Sequence, residues 1–141
     1  MWLLDTMVIS ELRKRVPDPN VVVWLSSTAE NSLFLSVVTI SEIQRGIALQ
    51  RNKDVPFAER LQYWLDEMMR NYADRVLPVT PEIARRWGEL TAQVGHDGAD
   101  VLIAATALQH GLSVVTRNEK HFSQFSVPVL NPYDYSILKT E

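Results

Sequence analysis

Ala99-Asp100-Val101-Leu102-Ile103-Ala104-Ala105-Thr106-Ala107-Leu108-Gln109-His110, then Gly111, then Leu112-Ser113-Val114-Val115-Thr116, reads as a helix, a stop and a strand. The helix is apolar nearly all round, so it has no face to give to water and must lie centrally. Its alanines allow close approach to a sheet. Gly111 stands in the favoured position just past a helix end, and the valine pair after it suits a buried strand. Towards the C-terminus, Glu119 to Phe125 reads as a short helical turn and Val127 to Leu130 as a fifth strand.

Working back from Ala99, Gly95-His96-Asp97-Gly98 reads as a loop, and Pro81 opens a helix ending near Val94. Proline suits the first helical turn because its missing N–H has no partner there anyway. Arg75 to Val79 reads as a strand. Pro56 starts a helix whose apolar positions Phe57, Leu61, Trp64, Leu65, Met68 and Met69 recur at helical spacing. Ser32 to Val37 is strand-like, with a helix from Thr39 to about Arg51. Trp2-Leu3-Leu4 is a short apolar run, followed by a helix from Met7 to Arg15, a break at Pro17-Asp18-Pro19 and a second helix over Asn20 to Ser27. Strands alternating with helices predict a parallel sheet. Right-handed crossovers then give a three-layer α/β/α sandwich of about five strands, here a single domain over 1–141.

The 141 residues are 46% hydrophobic and 22% charged, the balance of a folded globular chain rather than a disordered one. Cysteine is absent, which excludes disulfides, thiolate metal sites and a cysteine nucleophile. His96, His110 and His121 are not spaced as a zinc-binding pair. The formal charge of −3 removes the simplest signature of a nucleic-acid binder, so a polyanion must be met by a local basic patch or by bound cations. No apolar run reaches the roughly 18 residues of a membrane span. The chain opens on a strand-like segment, so the expected setting is the cytoplasm.

Three acids fall at equivalent places. Asp5 ends the first strand, Glu42 lies in the first turn after the second, and Asp100 opens the apolar helix. In an open parallel sheet the carboxyl ends of the strands share one edge, where ligands bind. Residues 37 and 58 positions apart can therefore meet there. Carboxylates brought together repel, and a divalent cation relieves that repulsion; an all-oxygen site favours Mg²⁺ or Mn²⁺. Helix capping is the competing account for each acid. Asp5 suits an N-cap, Thr39-Ile40-Ser41-Glu42 matches a capping box, and Asp97 and Asp100 suit the start of the helix after them.

Leu3-Leu4-Asp5-Thr6, Thr39-Ile40-Ser41-Glu42, the run from Ala99 to Ala107 and Val115-Thr116-Arg117-Asn118 together resemble the PIN-domain nucleases. The likeness is strongest to the VapC-type ribonuclease toxins, including the FitB-like branch, and extends from Leu3 to about Tyr133. It implies a Mg²⁺- or Mn²⁺-dependent endoribonuclease, a homodimer and a VapB-type antitoxin encoded beside it. On that resemblance Asp5, Glu42 and Asp100 are the metal-binding acids, and Asn118 takes a fourth catalytic position where many relatives carry aspartate. His121 falls near another position that is often acidic. Met7 stands where relatives usually have asparagine. These departures keep open a second reading, a PIN-like RNA- or partner-binding protein that cleaves weakly or not at all. A phospho-acceptor signalling domain is a third, but it wants adjacent acids after the first strand and a lysine after the last, and neither is present.

For the nuclease, water activated by the metal attacks an RNA phosphodiester. Glu42 serves as a metal-water ligand or base, and Asn118 bonds a coordinated water. Thr6 and Thr116, with hydroxyls at strand ends, are candidates for substrate or water contact against a plainer reading as polar filler. Cationic candidates for the phosphate chain are Arg45, Arg117 with Lys120, Arg13-Lys14-Arg15 and Arg85-Arg86. Arg45 is also placed to pair with Glu42 three residues before it. Trp24, Tyr63, Trp64 and Trp87 read as packing residues before base-stacking ones. The Phe57, Trp64 and Met68 stripe offers a groove for an antitoxin segment.

Overall fold

The computed structural model describes residues 1–135. Along the chain run β1 (Trp2–Leu4), α1 (Thr6–Glu11), α2 (Pro19–Ser26), β2 (Leu33–Ser36), α3 (Val37–Arg51), α4 (Val55–Asn71), β3 (Val76–Leu77), α5 (Pro81–Val94), α6 (Ala99–His110), β4 (Ser113–Val115), α7 (Glu119–Ser123) and β5 (Val129–Leu130). The five strands form one sheet in the order β3-β2-β1-β4-β5, and every pairing is parallel.

Neighbouring strand residues face opposite sides of the sheet, and both sides are covered. Leu3 and Val114 belong to a core with α5, α6 and Phe122. Leu4 and Val115 belong to a second core with Val8, Val21, Trp24, Ile47, Leu65 and Met68 from α1 to α4. The three-layer sandwich expected from the alternation is the observed architecture. In α6, all seven residues from Val101 to Ala107 are buried, as a helix without a polar face requires.

Several boundaries differ from the sequence reading, each for a local reason. α1 stops at Glu11 rather than Arg15, because the Glu11 carboxylate accepts from the Asp18 backbone N–H at 3.0 Å and folds the chain back. Asp18 then caps α2, accepting from Asn20 N–H at 2.9 Å with Pro19 in the first turn, so the proline pair starts one helix as well as ending another. α3 begins at Val37, two residues earlier than expected, because the Ser36 hydroxyl accepts from Val38 N–H at 3.1 Å. Thr39 therefore lies inside the helix and the expected capping box does not form. β3 shrinks to Val76–Leu77. Arg75 precedes it as a buried side chain rather than a strand residue facing water.

Gly111 ends α6 with φ 66° and leads into the Leu112 N–H bond to Ala107 O at 2.9 Å. A side chain in this left-handed conformation costs roughly 1–2 kcal/mol. Gly111→Ala is expected to lower the thermal midpoint by a few degrees without changing the fold, as read by circular dichroism.

Candidate active site

The carboxyl edge of the sheet builds the site. The Asp5 N–H donates to Val115 O at 2.9 Å and the Thr116 N–H donates to Leu130 O at 2.9 Å, so the residues just past β1 and β4 are held side by side. The Thr116 hydroxyl donates to Asp5 Oδ2 at 2.8 Å. Asp5 Oδ1 accepts the Thr6 N–H at 2.8 Å, capping α1. Capping and a place in the site are thus both true of Asp5.

α3 brings Glu42 to the same edge. Glu42 Oε1 accepts from the Thr6 hydroxyl at 2.6 Å, and Thr6 Oγ1 lies 3.0 Å from Thr39 Oγ1. A hydroxyl has one proton to give. Thr6 gives its proton to Glu42, so the buried Thr39 donates to Thr6. Thr6 and Thr116 are therefore organisers of two carboxylates rather than filler. Thr39 was not legible as part of this chain, since nothing in its spacing marks a helix-interior threonine.

Asp100 stands in the first turn of α6, its Oδ1 accepting the Val101 N–H at 3.0 Å, where the positive end of the helix favours an acid. Gly98 lets the carboxylate sit this close: a Cβ there would lie 3.0 Å from Asp100 Oδ1. The N-cap position falls to Gly98, so neither Asp97 nor Asp100 caps α6 from that position. His121 Nδ1 lies 3.5 Å from Asp100 Oδ2, although its side chain is mostly exposed.

Asp5, Thr6, Met7, Glu42, Asp100, Asn118 and His121 line one cleft of about 280 Å³. Among the described residues, no group of three or more histidine, aspartate or glutamate side chains is placed to hold a metal ion. Burial pushes the Asp5 carboxyl above its ordinary value, against hydrogen bonds from Thr116 and Thr6, and the charges of Glu42 and Asp100 add to the rise. The cleft thus holds excess negative charge on oxygen donors.

Asn118 precedes α7 without capping it through its side chain. Its Nδ2 lies 3.6 Å from the Met7 sulfur, which joins the two positions where the sequence departs from the pattern it resembles. Other expected residues lie outside the cleft. Arg45 is exposed on α3 and forms no ion pair with Glu42 among the described residues, because Glu42 is turned to Thr6. Arg117 points its guanidinium over the Tyr133 ring, 4.6 Å from the centroid. The Phe57–Trp64–Met68 stripe does not make one groove. Phe57 borders a hollow with α1 and α3, whereas Trp64 and Met68 border another with Ile9 and Leu12. Trp24 is buried, edge-on to Trp2 with centroids 5.4 Å apart, and Tyr63 is exposed.

Thr116→Val keeps the volume but removes the donor to Asp5. Leaving a buried acceptor without its donor costs about 1–3 kcal/mol, and a loss of stability in that range is expected from chemical denaturation of the variant.

A parallel sheet in this order, with acids delivered by the ends of β1, α3 and α6 to its carboxyl edge, defines a class: the PIN domain model matches residues 2–127, and the chain belongs to that family. Among individual proteins, it is 36% identical over 141 residues to VapC ribonuclease Y4jK of Sinorhizobium fredii, covering 95% of this chain and 99% of the relative. It is also 36% identical over 140 residues to Toxin FitB of Neisseria gonorrhoeae, covering 94% and 99%. The crystal structure of FitAcB from Neisseria gonorrhoeae superposes with a TM-score of 0.84 at 34% identity, over 95% of this chain and 99% of that one.

Proposed function

We propose that the protein is a divalent-metal-dependent endoribonuclease serving as the toxin of a type II toxin–antitoxin module. The observation that carries this reading is the meeting of Asp5, Glu42 and Asp100 around one cleft, in a chain similar over nearly its whole length to a VapC ribonuclease and a FitB toxin.

The donor set fits Mg²⁺ or Mn²⁺. Mg²⁺ commonly keeps several waters and takes only one or two carboxylates plus substrate phosphate, rather than a protein cage. Asp5 and Asp100 would hold such an ion directly, with Glu42 reaching it directly or through water. A bound divalent cation supplies Lewis acidity to the phosphoryl oxygens and makes an attacking water more acidic. The protein's own groups do the rest. Thr116 and the Thr6 N–H fix Asp5. Glu42 keeps Oε2 clear of its bond to Thr6 and takes the proton from the attacking water. Asn118 hydrogen-bonds a water at the mouth of the cleft. Arg117 and, further along α3, Arg45 meet phosphates outside it.

An antitoxin segment would cover the hollow of about 200 Å³ between α1, α3 and α4, lined by Ser10, Ile43, Ile47, Phe57 and Leu61. This hollow joins the cleft through Thr6 and Glu42. The same reading gives a homodimer acting in the cytoplasm, where cellular RNA lies.

The test is to express the chain briefly, map new 5′ ends on total RNA and repeat with Asp5→Asn. Discrete ends that vanish in the variant support the nuclease. The contact between Asn118 and Met7 favours the second reading, binding without cleavage; RNA retention without new ends would select it.

A further inference from the structure

Beside the carboxylate cleft, on the far side of Met7, lies a second hollow of about 190 Å³ lined by Met7, Ser10, Arg13, Lys14, Arg117 and Tyr133, with Glu11 at its edge. Met7 lines both hollows, so one continuous surface runs between them. The two differ in charge. The cleft carries carboxylates, whereas three cations meet a single carboxylate here.

That carboxylate is already committed. Glu11 accepts from Lys14 Nζ at 3.1 Å, from the Asp18 N–H at 3.0 Å and from the Tyr133 hydroxyl at 3.0 Å. Burial alone would raise its pKa, but these three donors outweigh it and hold the group below its ordinary value. Arg13 and Arg117 have no acidic partner among the described residues. Arg117 is nevertheless placed, because its guanidinium lies 4.6 Å from the Tyr133 ring centroid. The ring is pinned in turn. Its hydroxyl bonds Glu11 on α1, its carbonyl accepts from Asn20 Nδ2 at 2.6 Å on α2, and its N–H donates to Asn131 Oδ1 at 3.0 Å. A guanidinium stacked on a fixed ring, with none of its donors spent among the described residues, is prepared for a phosphate.

Resting on the nuclease reading above, we propose that this hollow is a second backbone subsite. The RNA strand leaves the carboxylate cleft over the Met7 thioether, and Arg117, with Arg13 and Lys14, takes a flanking phosphodiester. Met7 offers the intervening nucleoside an apolar saddle. Tyr133 is a positioning residue that acts through Arg117. The arrangement also accounts for how an acidic domain holds a polyanion: the site that cuts is negative, and the affinity comes from the neighbouring hollow.

The test is steady-state cleavage of a short fluorescent single-stranded RNA of mixed sequence, in Mg²⁺ over a range of KCl. It compares the wild-type chain with Arg117→Gln, Tyr133→Leu and Tyr133→Phe. For the first two, KM is expected to rise about tenfold with kcat held, the pattern of lost uniform binding. The fall of log(kcat/KM) with log[KCl] becomes shallower by about 0.7, the loss of one phosphate contact on a single strand. Tyr133→Phe keeps the ring under Arg117 but loses the bond that pins it to Glu11, so its KM and salt slope are expected to fall between those of the wild type and Tyr133→Leu. Fluorescence anisotropy in the Asp5→Asn background, where RNA is held uncut, shows the same change in salt slope. A wild-type KM and slope in Arg117→Gln overturns the subsite while leaving the nuclease standing. The same unchanged RNA kinetics with loss of a co-expressed antitoxin assigns the hollow to a protein partner instead. A wild-type chain that cuts no RNA removes the nuclease reading itself, and the subsite with it.

Discussion

Asp5→Asn is expected to abolish RNA cleavage and, in the same protein, to remove the pH dependence that Asp5 imposes on folding. The activity loss should exceed the ~10–100-fold typical of groups that merely support a ligand, because Asp5 is the buried acid at the centre of the proposed metal site. The stability effect follows from its raised pKa, which comes first from burial and then from the charges of Glu42 and Asp100. An acid whose folded pKa lies above its unfolded value makes the native state bind the proton more tightly. Its stabilising contribution is present at low pH and is lost as pH rises through the folded value. Metal-free wild type should therefore lose thermal midpoint as pH climbs out of the ordinary carboxylate range, and the variant should lack that part of the slope. Added Mg²⁺ or Mn²⁺ reverses the wild-type loss. Saturation at a hundred times Kd contributes about 2.7 kcal/mol, and the variant gains little. Melting curves at several pH values, with and without metal, check all of this; equal metal responses in the two proteins would take Asp5 out of the metal site.

The largest stability effect is expected from Arg75→Ala, at about 3 kcal/mol, or roughly 10 °C in thermal midpoint. The side chain donates from Nη1 to Glu30 O at 2.6 Å and Leu33 O at 2.8 Å, and from Nη2 to Asn71 O at 2.7 Å. It also stacks 4.4 Å from the Tyr72 ring centroid. It thereby joins the entry to β2, the end of α4 and the start of β3. Removing it leaves backbone acceptors without donors, and such groups are costly because folding has taken their water away. Arg75→Lys should recover little, since one ammonium cannot reach three carbonyls in a fork. Chemical denaturation of both variants measures the loss directly. The site should survive in the folded fraction, because Arg75 touches none of the residues lining the cleft.

The elements that periodicity specifies were readable. α6 has apolar residues on every side, and Leu3-Leu4 and Val114-Val115 send alternate side chains to opposite cores. Asp5, Glu42 and Asp100 were readable as a group because a parallel sheet gathers strand ends at one edge. Partner choice among polar side chains was not. Glu42 turned to Thr6 rather than to Arg45 or to its own helix start, since the Ser36 hydroxyl had already taken the cap. Arg75 read as a strand residue because its partners are backbone carbonyls 4 to 45 positions away, which no side-chain pattern announces. Glu11 and Tyr133 went unread for a similar reason, being joined across 122 positions.

The bond from Thr116 to Asp5 spans 111 positions, and this fixes when the cleft can be completed. While the chain is being made, Asp5, Glu42 and Asp100 all emerge before β4 exists to seat the first of them. An abortive product ending short of Thr116 would carry all three acids yet lack β5 and the donor that holds Asp5, so the cleft is completed only after Thr116 has emerged.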